Sequence, residues 1–395
     1  MKTKRICVLL IHNRYRQPGG EDVVFEAEKL LLERYGHKVI TFTEDNAKLS
    51  KVNPLKIAVN AVWSREAQKK ILKLIEEKKL NVVHFHNTFL RISPAAYYVV
   101  KKKEIPVVQT LHNYRVICPG SLLMRNGHVC ENCLKKKVPW HGVIHGCWRN
   151  SKAGTAIVAT MLVVHRLLKT WAEKVDVYIA LTEFARRKFI EGGLPAEKIV
   201  VKPNFVYPDP GSGEHKGNFA LFVGRFSKEK GVRTLLSAWR LLKGIPLKIV
   251  GDGPLMAEVK EHVERERLVI EVLGWRPREE VFALMQAASF LLFPSEWYEG
   301  FPMAIAEAFA CGLPVIASRL GAMAEIIEDG RTGLLFEPGN PEDLAAKVEW
   351  LLSHPQELAR MSKEARAEYE AKYTAERNYE MLMAIYHRAL GRQEG

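Results

Sequence analysis

The stretch SFLLFPSEWYEGFPMAIAEAFACGLPVIAS, Ser289 to Ser318, decides how the chain folds. It opens and closes on short apolar runs, "SFLLFPSE" and "LPVIAS", that read as strands buried on both faces. Between them lies a helix that carries Glu307, with Glu299 in the loop before it. Strand, helix and strand in succession make one unit of a parallel sheet.

The alternation continues outward. Upstream come the strands "FALFVGRF", "LKIVGDGP" and "IEVLGWR" with the helix "GVRTLLSAWRLLK", and downstream the strand "TGLLFEP". The aperiodic, Pro- and Gly-rich segment "NFVYPDPGSGEHKGN" before them reads as a linker. Ahead of it the pattern occurs a first time, with strands "ICVLLIH", "KVITFTE", "NVVHFH", "PVVQTLH", "DVYIALTE" and "KIVVKPN". At 395 residues the chain is too long for one core. The expectation is an α/β protein of two Rossmann-like, doubly wound domains, residues 1–205 and 206–372, the first with a Cys-rich insert at about 115–150. A last helix within residues 373–395, with Tyr379, Leu382, Met383 and Tyr386 at helical spacing, is expected to cross back to the first domain.

A composition of 47% hydrophobic and 26% charged residues is ordinary for a soluble globular protein. The apolar run Cys7 to Ile11 is too short for a signal peptide and reads as a buried strand. The net charge of +14 is uneven: 36 Lys+Arg stand against 17 Asp+Glu through residue 205, and 23 against 28 beyond it. The basic half suits an anionic partner, whether nucleic acid, membrane surface or substrate. Four of the six cysteines, Cys118, Cys130, Cys133 and Cys147, form C-x11-C-x2-C-x13-C. Such clustering argues against a disulfide-dense secreted scaffold and for a local site. Tetrahedral zinc, one or two disulfides, and reduced packing cysteines all stay open as readings.

Ligands of an open parallel sheet bind beyond the carboxyl ends of its strands. Gly19 and Gly20 follow the first strand and precede a helix, where an anion or sugar can approach the backbone. In "GRFSKEKG", Arg225 and Lys230 bracket a loop that opens a helix, a pattern suited to a diphosphate. Gly251 in "GDGP" and Gly274-Trp275 in "LGW" end further strands, the latter pair offering backbone and an aromatic ring to a nucleobase. Glu299 precedes the turn "GFP", whose N–H groups and helix start suit a diphosphate, while carboxylates such as Glu299 and Glu307 accept from hydroxyls. His84 and His86 share one face of a strand, as metal ligands or as packing residues.

In combination these motifs are specific. Residues 220–340 resemble glycosyltransferase family 4, the retaining nucleotide-sugar transferases of the GT-B fold, through "LFVGRFSKEKGV", "VGDGP", "LGW", "EGFPMAIAEAFACGLPVIAS" and "GLLFEPGNPEDLA" in the family's order. "GGED", "VVHFHN", "TLHNYR" and "YTAERNYEMLMAIYHRAL" extend the resemblance over nearly the whole chain. It implies that Arg225 and Lys230 hold the donor diphosphate and Glu307 the ribose hydroxyls. Glu299, with the backbone of Gly300 and Phe301, would seat the sugar, and His112 would face the reacting sugar. Gly19 and Gly20 would lie near the donor phosphate and the acceptor. Pro302 departs from the pattern, standing where many members have Gly, so one N–H is missing.

The resemblance further implies a UDP- or GDP-sugar donor and a glycan or lipid-linked acceptor. No catalytic metal is expected, and no Asp-x-Asp motif occurs in the chain. The expected setting is surface polysaccharide or glycolipid synthesis in the cytoplasm, at the inner face of the cell membrane. Lys135 to Lys137, Trp140 and Trp148 put basic and aromatic residues on the insert. The apolar helix from Ala153 to Leu168 is short for a membrane span and reads as a core helix or a membrane-docking surface. A sugar-nucleotide epimerase or a glycan phosphorylase could use the same fold. A zinc-containing nucleic-acid-binding protein would leave the second half's motifs unexplained, so no nucleic acid is expected.

Overall fold

The computed structural model describes residues 5–15, 19–47 and 53–391. The chain forms two compact units. One comprises residues to Leu123, Cys130–Pro203 and residues from Asn378; the other comprises Met124–Val129 and Asn204–Arg377.

The first unit is built on strands β1 (Cys7–Arg14), β2 (Lys38–Asp45), β3 (Val82–Asn87) and β4 (Val107–Thr110). After the short hairpin strands β5 (Met124–Arg125) and β6 (His128–Val129) come β7 (Val177–Ala180) and β8 (Ile199–Val201). The six-stranded sheet runs β2-β1-β3-β4-β7-β8 and is parallel throughout. Its central strands are apolar on both faces because helices cover both. Val8 to Ile11, Val82, Val83, Val107 and Val108 are fully buried. Helix Arg65–Glu77 offers the sheet Ala67, Ile71 and Ile75, one stripe at four-residue spacing, and its Ser64 cap accepts from the Ala67 N–H.

The last helix, Ala375–Ala389, rejoins this unit at Asn378 rather than at residue 373. It is held there by long side chains with polar tips. The Tyr379 ring stacks on Tyr35 at 3.6 Å, and its hydroxyl lies 2.7 Å from His37 Nε2. Tyr386 reaches His84 Nδ1 in the middle of β3 at 2.9 Å.

The second unit contains β9 (Ala220–Val223), β10 (Leu247–Val250), β11 (Ile270–Gly274), β12 (Phe290–Phe293), β13 (Val315–Ser318) and β14 (Gly333–Phe336). Its parallel sheet runs β11-β10-β9-β12-β13-β14. Phe222, Leu235, Trp239, Ile249, Leu292, Phe336 and Leu344 form its core. The expected linker is not a free tether. Residues 204–218 lie along this unit, with Gly213 N–H donating to Cys311 O, Gly217 N–H to Ala287 O, and Asp209 paired with Arg366 at 2.7 Å. Lack of periodicity marked the absence of helix and strand there, which does not imply an absence of contacts. The hairpin of the insert turns at Asn126-Gly127, both at positive φ, and groups with the second unit, unlike the rest of the lobe.

Each sheet has a point where successive connections run in opposite directions: between β1 and β3 in the first unit, and between β9 and β12 in the second. The loops leaving such neighbours part to opposite faces and leave a crevice at the carboxyl ends of the strands.

Candidate functional site

At the switch point of the second unit, the loops after β9 and β12 are cross-braced. Glu296 N–H and Ser295 Oγ both donate to the Glu229 carbonyl, at 2.9 and 3.1 Å, and Thr234 Oγ1 donates to Glu296 at 2.5 Å. Gly231 begins the helix Val232–Leu241 at φ +67, and a Cβ there would stand 1.7 Å from the Pro294 carbonyl oxygen. Only glycine permits that approach. The bracing carries Lys230 onto Glu299. Nζ lies 2.7 Å from Glu299 Oε1, which also accepts from Ser295 Oγ at 2.6 Å and Trp297 Nε1 at 2.9 Å. The ammonium rests over the rings of Phe293 and Trp297 as well, at 5.5 and 5.6 Å. Arg225 is exposed, and no ion pair to it occurs among the described residues.

Glu299 is followed by Gly300 and Phe301, whose N–H groups meet no protein acceptor among the described residues. The Phe301 ring is buried edge-on against Tyr373 at 5.7 Å, so its side chain is a packing group and its backbone is the part on offer. Helix Met303–Ala310 then starts at Pro302 with no side-chain cap. Uncapped N–H groups, a lysine and an exposed arginine at one sheet edge suit a diphosphate.

Glu307 lies one turn into that helix, its carboxylate 3.2 Å from Arg278 Nη2. Burial raises the Glu307 carboxyl above the ordinary range, and the Arg278 guanidinium opposes that rise. Arg278 itself is fixed by donating to the Tyr207 carbonyl at 2.8 Å. Sequence reading missed Arg278, since nothing local in "WRPREEV" marks it. Gly251 is packed differently from a ligand-facing glycine. A Cβ there would overlap the Gly224 carbonyl at 1.9 Å, and its N–H donates to Gly274 O at 2.9 Å. Its small size serves strand packing, whereas Gly274, at φ +73 with open space around it, and the exposed Trp275 are accessible.

In the first unit, Gly19 caps helix Gly20–Arg34, and its N–H donates to Asp22 Oδ2 at 2.9 Å. Asp22 Oδ1 takes His12 Nε2 at 3.0 Å, tying the helix start to the end of β1. Glu21 meets Asn87 from β3 at 2.9 Å and Asn113 at 3.3 Å, so the glycine pair and the segment after His112 share one cluster. Burial, with the neighbouring Asp22, pushes the Glu21 carboxyl up to about 8 despite hydrogen bonds from Tyr15 and the two asparagines.

His112 Nε2 lies 3.0 Å from His86 Nδ1, the two rings stacked at 5.2 Å. Burial holds both imidazoles well below their ordinary pKa, hence neutral. His86 Nε2 faces the buried Glu28 carboxylate at 3.4 Å. That contact is longer than a hydrogen bond, and among the described residues neither His86 Nε2 nor either Glu28 oxygen has a hydrogen-bond partner. His112 Nδ1 is buried and has no hydrogen-bond partner among the described residues.

Glu28, His84 and His86 present ligand atoms within 4.8 Å of one another. Both nitrogens of His84 are already used, by Tyr386 at 2.9 Å and Thr110 at 2.8 Å. The cation beside Glu28 is the chain's own Lys202, 3.4 Å away and as buried as its partner. His84, driven down to about 4 by burial, is therefore a packing histidine.

All six cysteines are free thiols. Cys118, Cys130 and Cys147 lie near enough to Cys133 to help burial raise its thiol, to about 11. Gly120 sits against Cys147 Cβ and Cys118 Sγ, with a notional Cβ at 3.4 and 3.8 Å from them. Among the described residues no three cysteine sulfurs lie within 4.8 Å of one another, a wider spacing than a tetrahedral thiolate cage has.

Set against known proteins, the geometry has a family. The model of Glycosyltransferase Family 4 matches residues 19–209, and that of Glycosyl transferases group 1 matches residues 209–368. A glycosyltransferase of Methanocaldococcus jannaschii is 30% identical over 291 residues, 73% of this chain and 77% of its own. The amylovoran biosynthesis glycosyltransferase AmsK of Erwinia amylovora is 28% identical over 229 residues, 54% of this chain and 56% of its own. The crystal structure of Anabaena HepE in complex with UDP matches with a TM-score of 0.67 at 18% identity, covering 95% of this chain and 98% of that one. The chain belongs to glycosyltransferase family 4 and has the GT-B fold. It is a hexosyltransferase-type glycosyltransferase.

Among the described residues no helix is long and apolar enough to cross a membrane. The helix expected from Ala153 to Leu168 spans Lys152–Leu167, with Val158, Met161 and Leu162 buried.

Proposed function

We propose that this enzyme transfers a sugar, with retention of anomeric configuration, from a UDP- or GDP-sugar to a glycan or lipid-linked acceptor in surface polysaccharide synthesis. The observation that carries the donor reading is the meeting of Lys230 with Glu299 beside the N–H groups of Gly300 and Phe301, which have no acceptor among the described residues. Arg225 and Lys230 would neutralise the departing diphosphate, and Glu299 would accept from the sugar hydroxyls. Glu307 would take the ribose hydroxyls, and His112 would face the reacting sugar. In the transfer step, the bond from the anomeric carbon to the β-phosphate oxygen breaks, and its electron pair stays on that oxygen. The acceptor oxygen bonds to the same face of the sugar, and its proton passes to the departing phosphate. Two cations and a helix start would make a divalent metal unnecessary. HepE, of the same fold, holds UDP, and AmsK acts in amylovoran biosynthesis; both fit this reading.

The cysteine lobe belongs to the proposal as a structural zinc site. Its support is the placing of four cysteines, none in a disulfide, on one lobe, and metal would have to draw their sulfurs together. The donor reading is tested by calorimetric titration of UDP, GDP and ADP with and without EDTA. One nucleotide should bind in both conditions and be lost in Lys230→Ala and Glu307→Ala. A chain that binds none of the three would defeat it.

A further inference from the structure

The first unit contains a chemically distinctive pocket of about 340 Å³, lined by none of the residues assigned to the donor. Val116 and Leu134 line part of it, and Lys135, Lys136, Lys137, Arg166 and Lys169 crowd the rest. No ion pair to any of those four lysines occurs among the described residues. The single carboxylate on the wall, Glu191, is engaged with Lys188 at 3.2 Å. The pocket is thus cationic without compensation.

Two of its donors are unspent. Arg166 Nη1 donates to the carbonyls of Lys136 and Lys137 at 2.7 and 3.2 Å, which fixes the lysine run. Its Nη2 is buried with no hydrogen-bond partner. Trp171, 5% exposed, also lines the pocket, and its buried indole N–H has no partner either. Buried N–H groups are rarely left unmatched in folded proteins, so two beside five cations mark a place for an acceptor-rich anion.

Exposed apolar residues that neighbour the lining residues in sequence tell what carries that anion. Leu167, 78% exposed, and Leu168 lie between Arg166 and Lys169, and exposed Val138 follows Lys137. Trp140 and Ile144, also exposed, share a face of a short helix packed on Lys152–Leu167. A free phosphate has no use for apolar neighbours, whereas a lipid headgroup presents phosphate and acyl chains together. We propose that this pocket binds the phosphate of an anionic lipid headgroup and seats the first unit on a membrane surface.

The test uses the full chain with saturating UDP. Sedimentation with phosphatidylcholine vesicles, with and without phosphatidylglycerol, is measured across a salt series and against inorganic pyrophosphate as competitor. Binding should require phosphatidylglycerol, weaken with salt and be displaced by pyrophosphate. Lys135→Ala, Lys136→Ala and Lys137→Ala together should lower vesicle affinity roughly a hundredfold at low salt. Trp171→Phe, which removes the indole N–H together with the pyrrole ring, should lower pyrophosphate affinity several-fold. Leu167→Ser with Leu168→Ser should weaken vesicle binding and leave pyrophosphate binding intact. UDP affinity, the check on folding and on the donor site, should hold in all variants. Vesicle binding indifferent to the lysines, or pyrophosphate binding without vesicle binding, would overturn the lipid assignment.

Discussion

Glu299→Gln weakens the contact with Lys230 at the proposed donor site. Glu299 Oε1 accepts from Lys230 at 2.7 Å, Ser295 at 2.6 Å and Trp297 at 2.9 Å. An amide carbonyl in the same place keeps the two neutral donors, so the loss falls on the charged contact. A hydrogen bond to a charged group contributes about 1.5–3 kcal/mol, or about 1–2 after allowing for the partial exposure of Lys230. For a unit of this size the unfolding midpoint should fall by about 2–8 °C. The kinetic effect is separate. If the carboxylate holds sugar hydroxyls in the transition state, losing one such bond lowers kcat/KM by roughly 10- to 150-fold. Free UDP carries no sugar, and Lys230 is released from its pair, so UDP affinity should stay level or rise. Calorimetry, initial rates and thermal unfolding on one preparation measure all three quantities. A variant that loses UDP binding in step with activity would place Glu299 on the nucleotide, and one with undiminished kcat/KM would remove it from the reaction.

Three further outcomes follow from the first unit. Glu21 titrates near 8 in the fold, against an ordinary 4.5. The folded state thus keeps a proton that the unfolded chain has lost, and stability must fall as pH rises from about 4.5 to about 8. Glu21→Gln should flatten that slope and gain on the order of 2–4 kcal/mol at pH 8, read from urea midpoints at pH 6 and 8; equal slopes would count against it. Lys202→Met strands the buried Glu28 carboxylate and should cost about 3–5 kcal/mol, much of it recovered by adding Glu28→Gln, whereas a loss under about 1 kcal/mol would contradict the buried pair. Purified protein should carry about one zinc per chain, released by Cys133→Ser; metal-free protein whose lobe thiols all titrate would end the zinc reading.

Much of the fold was legible because it is written locally. Apolar runs buried on both faces, separated by amphipathic helices, give parallel sheets. Gly231 marks backbone that ordinary residues cannot supply, and the charged residues around it are close in sequence, which is why a donor site could be proposed there. The pairs that complete each site were not legible. Lys230 and Glu299 lie 69 residues apart, and His84 and Tyr386 lie 302 apart.

Periodicity tells which face a residue occupies and says nothing of which strand lies beside its own. Strand order decides that, and strand order is settled by how crossovers pack. The sequence by itself determined the class of fold and the two-part organisation, and it named the residues proposed to bind a nucleotide sugar. Only the tertiary structure decided that His86 lies between Glu28 and His112, that Arg278 answers Glu307, that a Cβ at Gly251 would meet the Gly224 carbonyl, and that four lysines, an arginine and a tryptophan share one pocket.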